Sequence, residues 1–83
     1  PNPFNPIISI DYTNDMDSNI KLSIYNILGQ KINVIDCGYQ LEGDYTMVWN
    51  GTDEKGTLMP SGVYFLEISN GNSRSVKPAT LLK

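Results

Sequence analysis

Apolar and polar residues alternate with a period of two through most of the chain, and helical periodicity is nearly absent. The clearest case is the segment IKLSIYN at positions 20–26, in which Ile20, Leu22 and Ile24 share one face. Polar or amphipathic side chains occupy the opposite face. Such alternation predicts a half-buried strand with one face in a hydrophobic core.

The same period predicts five further short strands, separated by turn-forming residues. Six short strands with turn signals between them indicate an all-β, antiparallel β-sandwich. Pro78 falls inside the last strand, and because proline has no N–H to donate, that strand belongs at an edge or at a bulge. The five segments are 7–12 with Ile8, Ile10 and Tyr12 on one face, 31–37 with Ile32 and Val34 opposite Asn33 and Ile35, 44–50 with Tyr45, Met47 and Trp49 on one face, 63–69, and 73–83.

The connections between these strands carry distinct signals. Gly29 allows positive φ and predicts a turn after the strand at 20–26. Asn70-Gly71 is the strongest hairpin signal, because a type I′ turn needs positive φ at both central positions. The other predicted connections are a polar turn of Asn14, Asp15, Asp17, Ser18 and Asn19, a loop at 38–43, and a long irregular loop at 50–62.

The first six residues, PNPFNP, contain three prolines. Because proline fixes φ and lacks a backbone donor, this stretch cannot form a helix or a central strand. Two interpretations are open at this point. The segment is either an interdomain linker or the boundary at which a particular kind of module begins.

Length and charge narrow the possible functions. The 83 residues predict a single domain, 1–83, with nine acidic and six basic residues and a net charge of −3. A mildly acidic chain argues against nucleic acid and against anionic membrane surfaces as partners. No apolar run reaches membrane-spanning length, so we expect no membrane insertion. The lack of a starting methionine and of a targeting segment predicts a piece of a longer protein.

Residues suited to catalysis are scarce. The chain has no histidine, which removes the usual general base and the commonest metal ligand together. Cys37, the single cysteine, fits a small buried hydrophobic residue better than a nucleophile. We therefore expect a protein that is not an enzyme and that has no catalytic residue, no metal site and no cofactor.

Three weaker hypotheses concern other kinds of site. The stretch NDMDSN at 14–19 offers carboxylate oxygens for calcium, although it lacks the central glycine and terminal glutamate of an EF-hand, and a plain polar turn explains it better. Asn50-Gly51-Thr52 matches the N-glycosylation sequon, and a tight turn needs the same residues. Tyr25 and Tyr64 are the tyrosines expected to be exposed in an aromatic sugar-binding platform, whereas Trp49 is expected in the core.

Four segments in order resemble one family. They are PNPFNP, IKLSIYNILGQKI, GDYTMVWNGTDEKGTLMPSGVYF and the terminal LLK. Together they resemble the C-terminal sorting domain (type A) of type IX secretion, which overlaps the FlgD-like immunoglobulin-like domain of flagellar hook-capping proteins. The resemblance covers the whole chain and implies an immunoglobulin-like β-sandwich of about seven strands.

The resemblance also implies a function. The domain would be a non-catalytic module at the C-terminus of a secreted protein of a Gram-negative bacterium, with a cargo domain N-terminal to it in the same chain. Its partners would be an outer-membrane translocon and a sortase-like peptidase, and the cargo would pass through the periplasm to the cell surface or the medium. The last strand would be the sorting signal, with recognition residues Val76, Lys77, Leu81, Leu82 and Lys83.

The family's structural motif falls on residues scattered along the chain, and Phe4 is expected to anchor the incoming segment on the end of the sheet. Two positions depart from the family pattern. Asn50 stands where aspartate is usual, and VKPATLLK replaces a run of lysine, lysine and methionine before the final leucines. The motif residues are Pro3, Phe4, Asn5, Pro6, Gly29, Trp49, Gly51, Gly62 and Tyr64.

Other functions remain open beside sorting. The chain resembles, as an alternative, a passive immunoglobulin-like accessory domain of an extracellular hydrolase, serving as a spacer or contacting carbohydrate. A hook-cap-type assembly domain is the third possibility. We further expect the terminal strand at 73–83 to be an exposed edge, which is at once a recognition element and a dimerisation hazard.

Overall fold

Six β-strands and no helix make up residues 7–83, the part of the chain that the computed structural model describes. The predicted proline-rich segment, with motif residues Pro3, Phe4, Asn5 and Pro6, lies outside the described residues. No described element is therefore a helix long and apolar enough to cross a membrane. The strands are β1 (Ile8–Asn14), β2 (Ser18–Tyr25), β3 (Lys31–Gln40), β4 (Gly43–Trp49), β5 (Gly62–Ser69) and β6 (Arg74–Leu81).

The strands form two sheets in which every neighbouring pair is antiparallel. A two-stranded sheet contains β1 and β4, and a four-stranded sheet has the order β3-β2-β5-β6. The prediction of an all-β, immunoglobulin-like antiparallel sandwich is confirmed. The resemblance implied about seven strands, and the described residues contain six.

The core lies between the two sheets and follows the predicted alternation closely. Ile20, Leu22 and Ile24 are almost completely buried, as the period of two in β2 requires. From the opposite sheet, β1 and β4 contribute their inward-facing residues, so each sheet buries one face against the other. The buried apolar residues are Ile8, Ile10, Tyr12, Ile20, Leu22, Ile24, Met47, Trp49, Tyr64, Leu66, Ile68 and Leu81.

Strand β3 does not follow its predicted alternation. Ile32, Ile35 and Cys37 all pack against the core, whereas Val34 is 40% exposed. The prediction that Ile32 and Val34 share a face opposite Ile35 is wrong, because the register with β2 shifts at two points. Each shift is an irregularity that reverses which face the following residues occupy. The strand also continues through Gln40, so the loop predicted at 38–43 shrinks to Leu41 and Glu42.

The predicted polar turn at 14–19 is also shorter than expected. Asn14 ends β1 with only 2% of its surface exposed, and its side-chain amide donates to the carbonyl oxygens of Gln40 and Leu41. Ser18 and Asn19 already belong to β2. A buried amide must find partners for its donors, and the neighbouring β3–β4 connection supplies them. Asn14 therefore ties the two sheets together at this end of the sandwich.

The hairpin predicted at Asn70-Gly71 forms, but its turn type differs from the prediction. Ser69 pairs with Arg74, which leaves a four-residue loop, and only Gly71 has positive φ, at 83°. The Asn70 side-chain oxygen instead accepts hydrogen bonds from the backbone N–H groups of Asn72 and Ser73. Because that oxygen orders the loop locally, Asn70 does not need the left-handed conformation of a type I′ turn.

Candidate functional site

Strand β6, the predicted recognition strand, lies at the edge of the four-stranded sheet. It pairs with β5 along its whole length, and Pro78 stands opposite Phe65 without a shift in register. The prediction that Pro78 marks an edge strand is confirmed. Proline on an edge leaves one fewer backbone donor for another chain to use.

Strand β6 is exposed along most of its length, and only its last residue is buried. Leu81 is completely buried, whereas Val76 is 56% exposed on the outer face and Leu82, just past the strand, is 72% exposed. The methyl groups of Leu81 lie against Gly51, where an added Cβ would come within 2.9 Å of one of them. Leu81 is therefore a core residue that packs the end of β6 against the loop that follows β4.

Lys77 points inward from β6, although its side chain is exposed. Its Nζ donates a hydrogen bond of 2.6 Å to the backbone carbonyl oxygen of Asp11 in β1. That bond links the free edges of the two sheets on one side of the sandwich. An inward-pointing lysine is one of the devices that limit pairing with another chain at an edge.

Lys83 lies just past β6, beside the start of β5. Its backbone N–H donates to the Ser61 hydroxyl at 3.1 Å, while its side chain remains exposed. Among the five predicted recognition residues, the outer face and the end of the strand thus present Val76, Leu82 and Lys83 to solvent. Leu81 and Lys77 hold the strand against the rest of the domain.

Three of the motif residues come together near the end of β6. The rings of Trp49 and Tyr64 meet edge to face, with centroids 5.2 Å apart and an interplanar angle of 67°. The Trp49 indole Nε1 donates to the carbonyl oxygen of Thr52, and the Tyr64 hydroxyl donates to that of Pro60. Gly51, with φ of 80°, lies in the same loop. These contacts hold the ends of the 50–61 loop on the core.

Two further motif glycines occupy turn and strand-end positions away from the aromatic pair. Gly29 has φ of 78° in the turn between β2 and β3, as predicted. There the Asn26 side-chain oxygen accepts hydrogen bonds from the backbone N–H groups of Leu28 and Gln30. Gly62 begins β5 opposite Leu81.

The prediction that Tyr64 is exposed is wrong. Tyr64 faces the core and is only 6% exposed, whereas its neighbour Phe65 faces outward and is 36% exposed. Every position at the start of β5 is apolar or aromatic, so alternation could not tell the two faces apart. Pairing with β2 settles it, because Tyr25 and Phe65 stand opposite each other on the outer face. Phe65 was the residue that sequence reasoning missed.

No cluster of three or more histidine, cysteine or acidic residues that could hold a metal ion occurs among residues 7–83. In the stretch considered for calcium, the Asp15 carboxylate accepts a hydrogen bond from the Asn70 amide and Asp17 accepts one from the Glu42 N–H. Both acids thus have structural partners. The Thr52 hydroxyl in the sequon likewise donates to the Asn50 side chain within a turn.

Cys37 lies half-buried on the inner side of β3 and packs against the core. Burial raises the pKa of its thiol, and the nearby Asp36 carboxylate acts in the same direction. A raised pKa keeps the thiol protonated and unreactive near neutral pH. The side chain therefore fits the predicted packing role and lacks the features of a nucleophile.

The described residues define an immunoglobulin-like sandwich in which β6 is one of the two edge strands of the four-stranded sheet. Residues 7–74 match the sequence model of the FlgD Ig-like domain, and the chain belongs to that family. No curated protein matches the chain.

Two solved structures share the fold. FlgD from P. aeruginosa aligns with a TM-score of 0.75 and 24% identity over 90% of this chain. FlgD from Xanthomonas campestris, a protein of the hook capping essential for flagellar assembly, aligns with a TM-score of 0.75 and 15% identity over 93% of this chain. In each case the alignment spans 58% of the FlgD chain.

Proposed function

We propose that the chain is a non-catalytic C-terminal sorting module that directs a secreted cargo protein through a type IX outer-membrane translocon. The observation that carries the proposal is the position of β6 as an edge strand, followed by the exposed residues Leu82 and Lys83. An edge strand offers backbone groups and alternate side chains to a partner that adds a strand. The resemblance of four ordered segments to the sorting family supports the same function.

The burial pattern refines which residues would contact the translocon. Val76, Leu82 and Lys83 are exposed and available, whereas Leu81 belongs to the core. We assign recognition to the three exposed residues and an anchoring role to Leu81. Lys77 and Pro78 restrict strand addition in the middle of β6, so pairing would begin at the ends of the strand.

The remaining parts of the proposal concern partners and location. A cargo domain would precede this chain, and a sortase-like peptidase would act after export. The protein would pass through the periplasm of a Gram-negative bacterium to the cell surface or the medium. Membership of an immunoglobulin-like family supports a role as an attached module.

The test is to fuse residues 1–83 to the C-terminus of a periplasmic reporter in a host that has type IX secretion. We expect the intact fusion to reach the surface or medium, and to stay in the periplasm of a host that lacks the translocon. Deleting Leu82 and Lys83 should leave the fusion in the periplasm. This deletion spares the buried Leu81, whose loss would destabilise the domain and confuse stability with recognition.

Two controls separate recognition from folding. Leu28→Ala changes another exposed aliphatic residue, 78% exposed and outside β6, and export should not change. The melting temperature of the isolated domain should be the same with and without Leu82 and Lys83. Export of the truncated fusion at the intact level, or no dependence on the translocon, would show that the sorting proposal is wrong.

A second candidate is a passive or assembly-related domain of the kind found in hook-capping proteins. The fold shared with two FlgD structures favours it. A domain of this kind would position neighbouring domains without carrying an export signal. The same fusions distinguish the candidates, because a passive domain leaves the reporter equally distributed with and without the translocon.

A further inference from the structure

The chain contains two Asn-Gly pairs, Asn50-Gly51 directly after β4 and Asn70-Gly71 in the hairpin between β5 and β6. In such a pair the backbone nitrogen of the glycine can attack the side-chain amide carbon of the asparagine, because glycine has no side chain to obstruct the approach. In a folded protein the attack also requires that the two groups are free to meet. The surroundings of the two pairs differ in this respect.

The pair at Asn50-Gly51 is held in place by the fold. Gly51 is buried, and an added Cβ there would come within 2.9 Å of a Leu81 methyl group. The Gly51 carbonyl oxygen accepts a hydrogen bond of 2.8 Å from the Met59 N–H. Turning the Gly51 nitrogen toward the Asn50 side chain would disturb both contacts, so this pair is protected from reaction.

The pair at Asn70-Gly71 lies in an open loop. Gly71 is exposed, and an added Cβ there would meet no atom within 4 Å. The Gly71 N–H donates a hydrogen bond to no residue in the described range. The hairpin loop is closed by a bond of 3.2 Å from the Asn70 N–H to the Ser73 carbonyl oxygen. The nitrogen of Gly71 is therefore accessible as a nucleophile.

Hydrogen bonds prepare the side-chain amide of Asn70 for attack. Its oxygen accepts bonds from the backbone N–H groups of Asn72 at 3.0 Å and Ser73 at 2.8 Å. The bond to the residue two positions on forms an Asx-turn, which folds the amide back over the peptide bond that joins Asn70 to Gly71. Two N–H donors on a carbonyl oxygen also stabilise the negative charge that develops there when a nucleophile adds to the carbon.

We propose that Asn70 is a site of spontaneous covalent modification, at which the linkage to Gly71 rearranges to isoaspartate. The Gly71 nitrogen forms a bond to Asn70 Cγ, and the bond from Cγ to Nδ2 breaks. Nδ2 leaves as ammonia, taking the proton that the Gly71 nitrogen gives up, and a succinimide ring remains. Water then opens the ring. Opening at the backbone carbonyl carbon gives isoaspartate, and opening at Cγ gives aspartate.

The modification removes a link between two connections of the sandwich. The Asn70 side-chain nitrogen donates a hydrogen bond of 3.0 Å to the Asp15 carboxylate, which lies between β1 and β2. Isoaspartate has no such donor and carries a carboxylate, so like charges replace a hydrogen bond. Its backbone also runs through the former side chain, which removes the oxygen that held the N–H groups of Asn72 and Ser73. We expect the hairpin to separate from the β1–β2 connection.

The test is to incubate the folded 83-residue chain at mildly alkaline pH, which favours loss of the proton from the attacking nitrogen. Trypsin cuts after Lys55 and Arg74, so Asn50 and Asn70 fall in the separate peptides 32–55 and 56–74. Mass spectrometry follows the mass gain from replacing NH2 by OH. Peptide 56–74 should gain mass about tenfold faster or more, because local protection slows the other site. Fragmentation should locate the change at Asn70, with isoaspartate among the products.

The chain unfolded in urea is the matched control, because it keeps both Asn-Gly pairs and removes their surroundings. The two peptides should then react at rates within about threefold of each other. Gly71→Ala should slow the reaction at Asn70 in the folded chain, since a side chain hinders the nitrogen. Equal rates in the folded chain, faster reaction at Asn50, or no reaction at Asn70 while the unfolded chain reacts would each overturn the proposal.

The structural consequence has its own measurement. Anion exchange separates the isoaspartyl form, which carries an additional negative charge, from the unmodified chain. Its melting temperature should be lower by about 4 °C or more, since several hydrogen bonds of the loop are lost. An unchanged melting temperature would show that the hairpin remains attached after modification. The loop precedes β6, whereas Leu82 and Lys83 follow it, so these results do not depend on the sorting proposal.

Discussion

The two sheets of the sandwich differ most on the faces that they turn to solvent. On the two-stranded sheet, Thr46 donates to Asp11 and Thr13 donates to Asp44, each at 2.8 Å, so polar side chains pair across the strands. On the four-stranded sheet, the corresponding face carries Phe65 and other exposed apolar residues. Apart from the exposed Val48, the outer face of the two-stranded sheet pairs its polar groups, whereas that of the four-stranded sheet exposes several apolar side chains.

The difference shows that the two sheets depend on each other unequally. A two-stranded ribbon is marginally stable by itself, so β1 and β4 rely on burial against the larger sheet. The four-stranded sheet has more pairing of its own and retains an apolar outer face without losing the fold. Substitutions that break contacts between the sheets should therefore lower the free energy of unfolding most, and substitutions on the outer faces should lower it least.

The largest effect is expected at Trp49, the fully buried residue by which β4 meets β5. Trp49→Ala removes its ring contact with Tyr64 and its hydrogen bond to Thr52, and should lower the free energy of unfolding by about 3–5 kcal/mol. Urea denaturation followed by circular dichroism measures the change. Val48→Ala, at the neighbouring exposed position, should cost less than about 0.5 kcal/mol. Equal costs at both positions would contradict the proposed dependence.

A smaller loss is expected at Gly51, where the long loop meets Leu81. In Gly51→Ala, the alanine must adopt a positive φ, and its Cβ would lie 2.9 Å from a Leu81 methyl group. We expect the free energy of unfolding to fall by about 2–4 kcal/mol. Gly71→Ala, with φ of 83° but open space around it, should cost about 1–2 kcal/mol.

The double variant Gly51→Ala with Leu81→Ala tests the close contact directly. Removing the Leu81 methyl groups relieves the overlap, so the two changes together should cost less than the sum of their separate costs in urea denaturation. Strict additivity would show that backbone conformation alone accounts for the effect of Gly51→Ala.

The outer faces provide a smaller and more direct comparison. Thr46→Val removes the hydrogen bond to Asp11 and should lower the free energy of unfolding by about 0.5–1 kcal/mol. Val76→Thr on the other sheet breaks no hydrogen bond and should change stability by less than about 0.5 kcal/mol. Thermal unfolding of both variants gives the measurement. A larger loss for Val76→Thr would mean that the apolar outer face contributes to stability.

The smallest expected effect is the contribution of Cys37 to the pH dependence of stability. Because burial raises the pKa of Cys37 in the folded state, the unfolded chain loses this proton first as the pH rises. Stability is therefore fully present below the ordinary thiol pKa of about 8.5 and should fall as the pH rises through the alkaline range just above it. Cys37→Ala should show a shallower decline in urea midpoint over this range. Burial also raises the pKa of Tyr12. Any further loss of stability above that range should therefore be the same in the unmodified protein and in Cys37→Ala.

Regular alternation made much of this fold predictable. In β2 the period of two is uninterrupted, and Ile20, Leu22 and Ile24 face the core as expected. In β3 the same rule failed at Val34, because register shifts are set by pairing with a neighbouring strand and leave no mark on composition. Sequence patterns also could not decide whether Tyr64 or Phe65 faces the core, because both side chains are aromatic and their neighbours are apolar.

The edge position of β6 could be predicted from the sequence, whereas the contacts that its side chains make could not. Pro78 correctly indicated an edge, because a missing donor is a local property of the residue. The burial of Leu81 depends on Gly51, which is distant in sequence and reaches it only through the fold. The Lys77 contact with the Asp11 carbonyl also joins distant parts of the chain, so neither contact could be read from the terminal segment alone.

The pairing of β1 with β4 has a consequence for the order of folding. It joins Ile8 to Trp49 across about forty intervening positions, whereas short turns join β2 to β3 and β5 to β6. Contacts between distant residues form slowly because closing a long loop costs entropy. The two local hairpins should therefore form first, and the long-range pairings of β1 with β4 and of β2 with β5 should follow. Because a two-stranded sheet is marginally stable by itself, the amides of β1 should be the earliest to open in native-state hydrogen exchange.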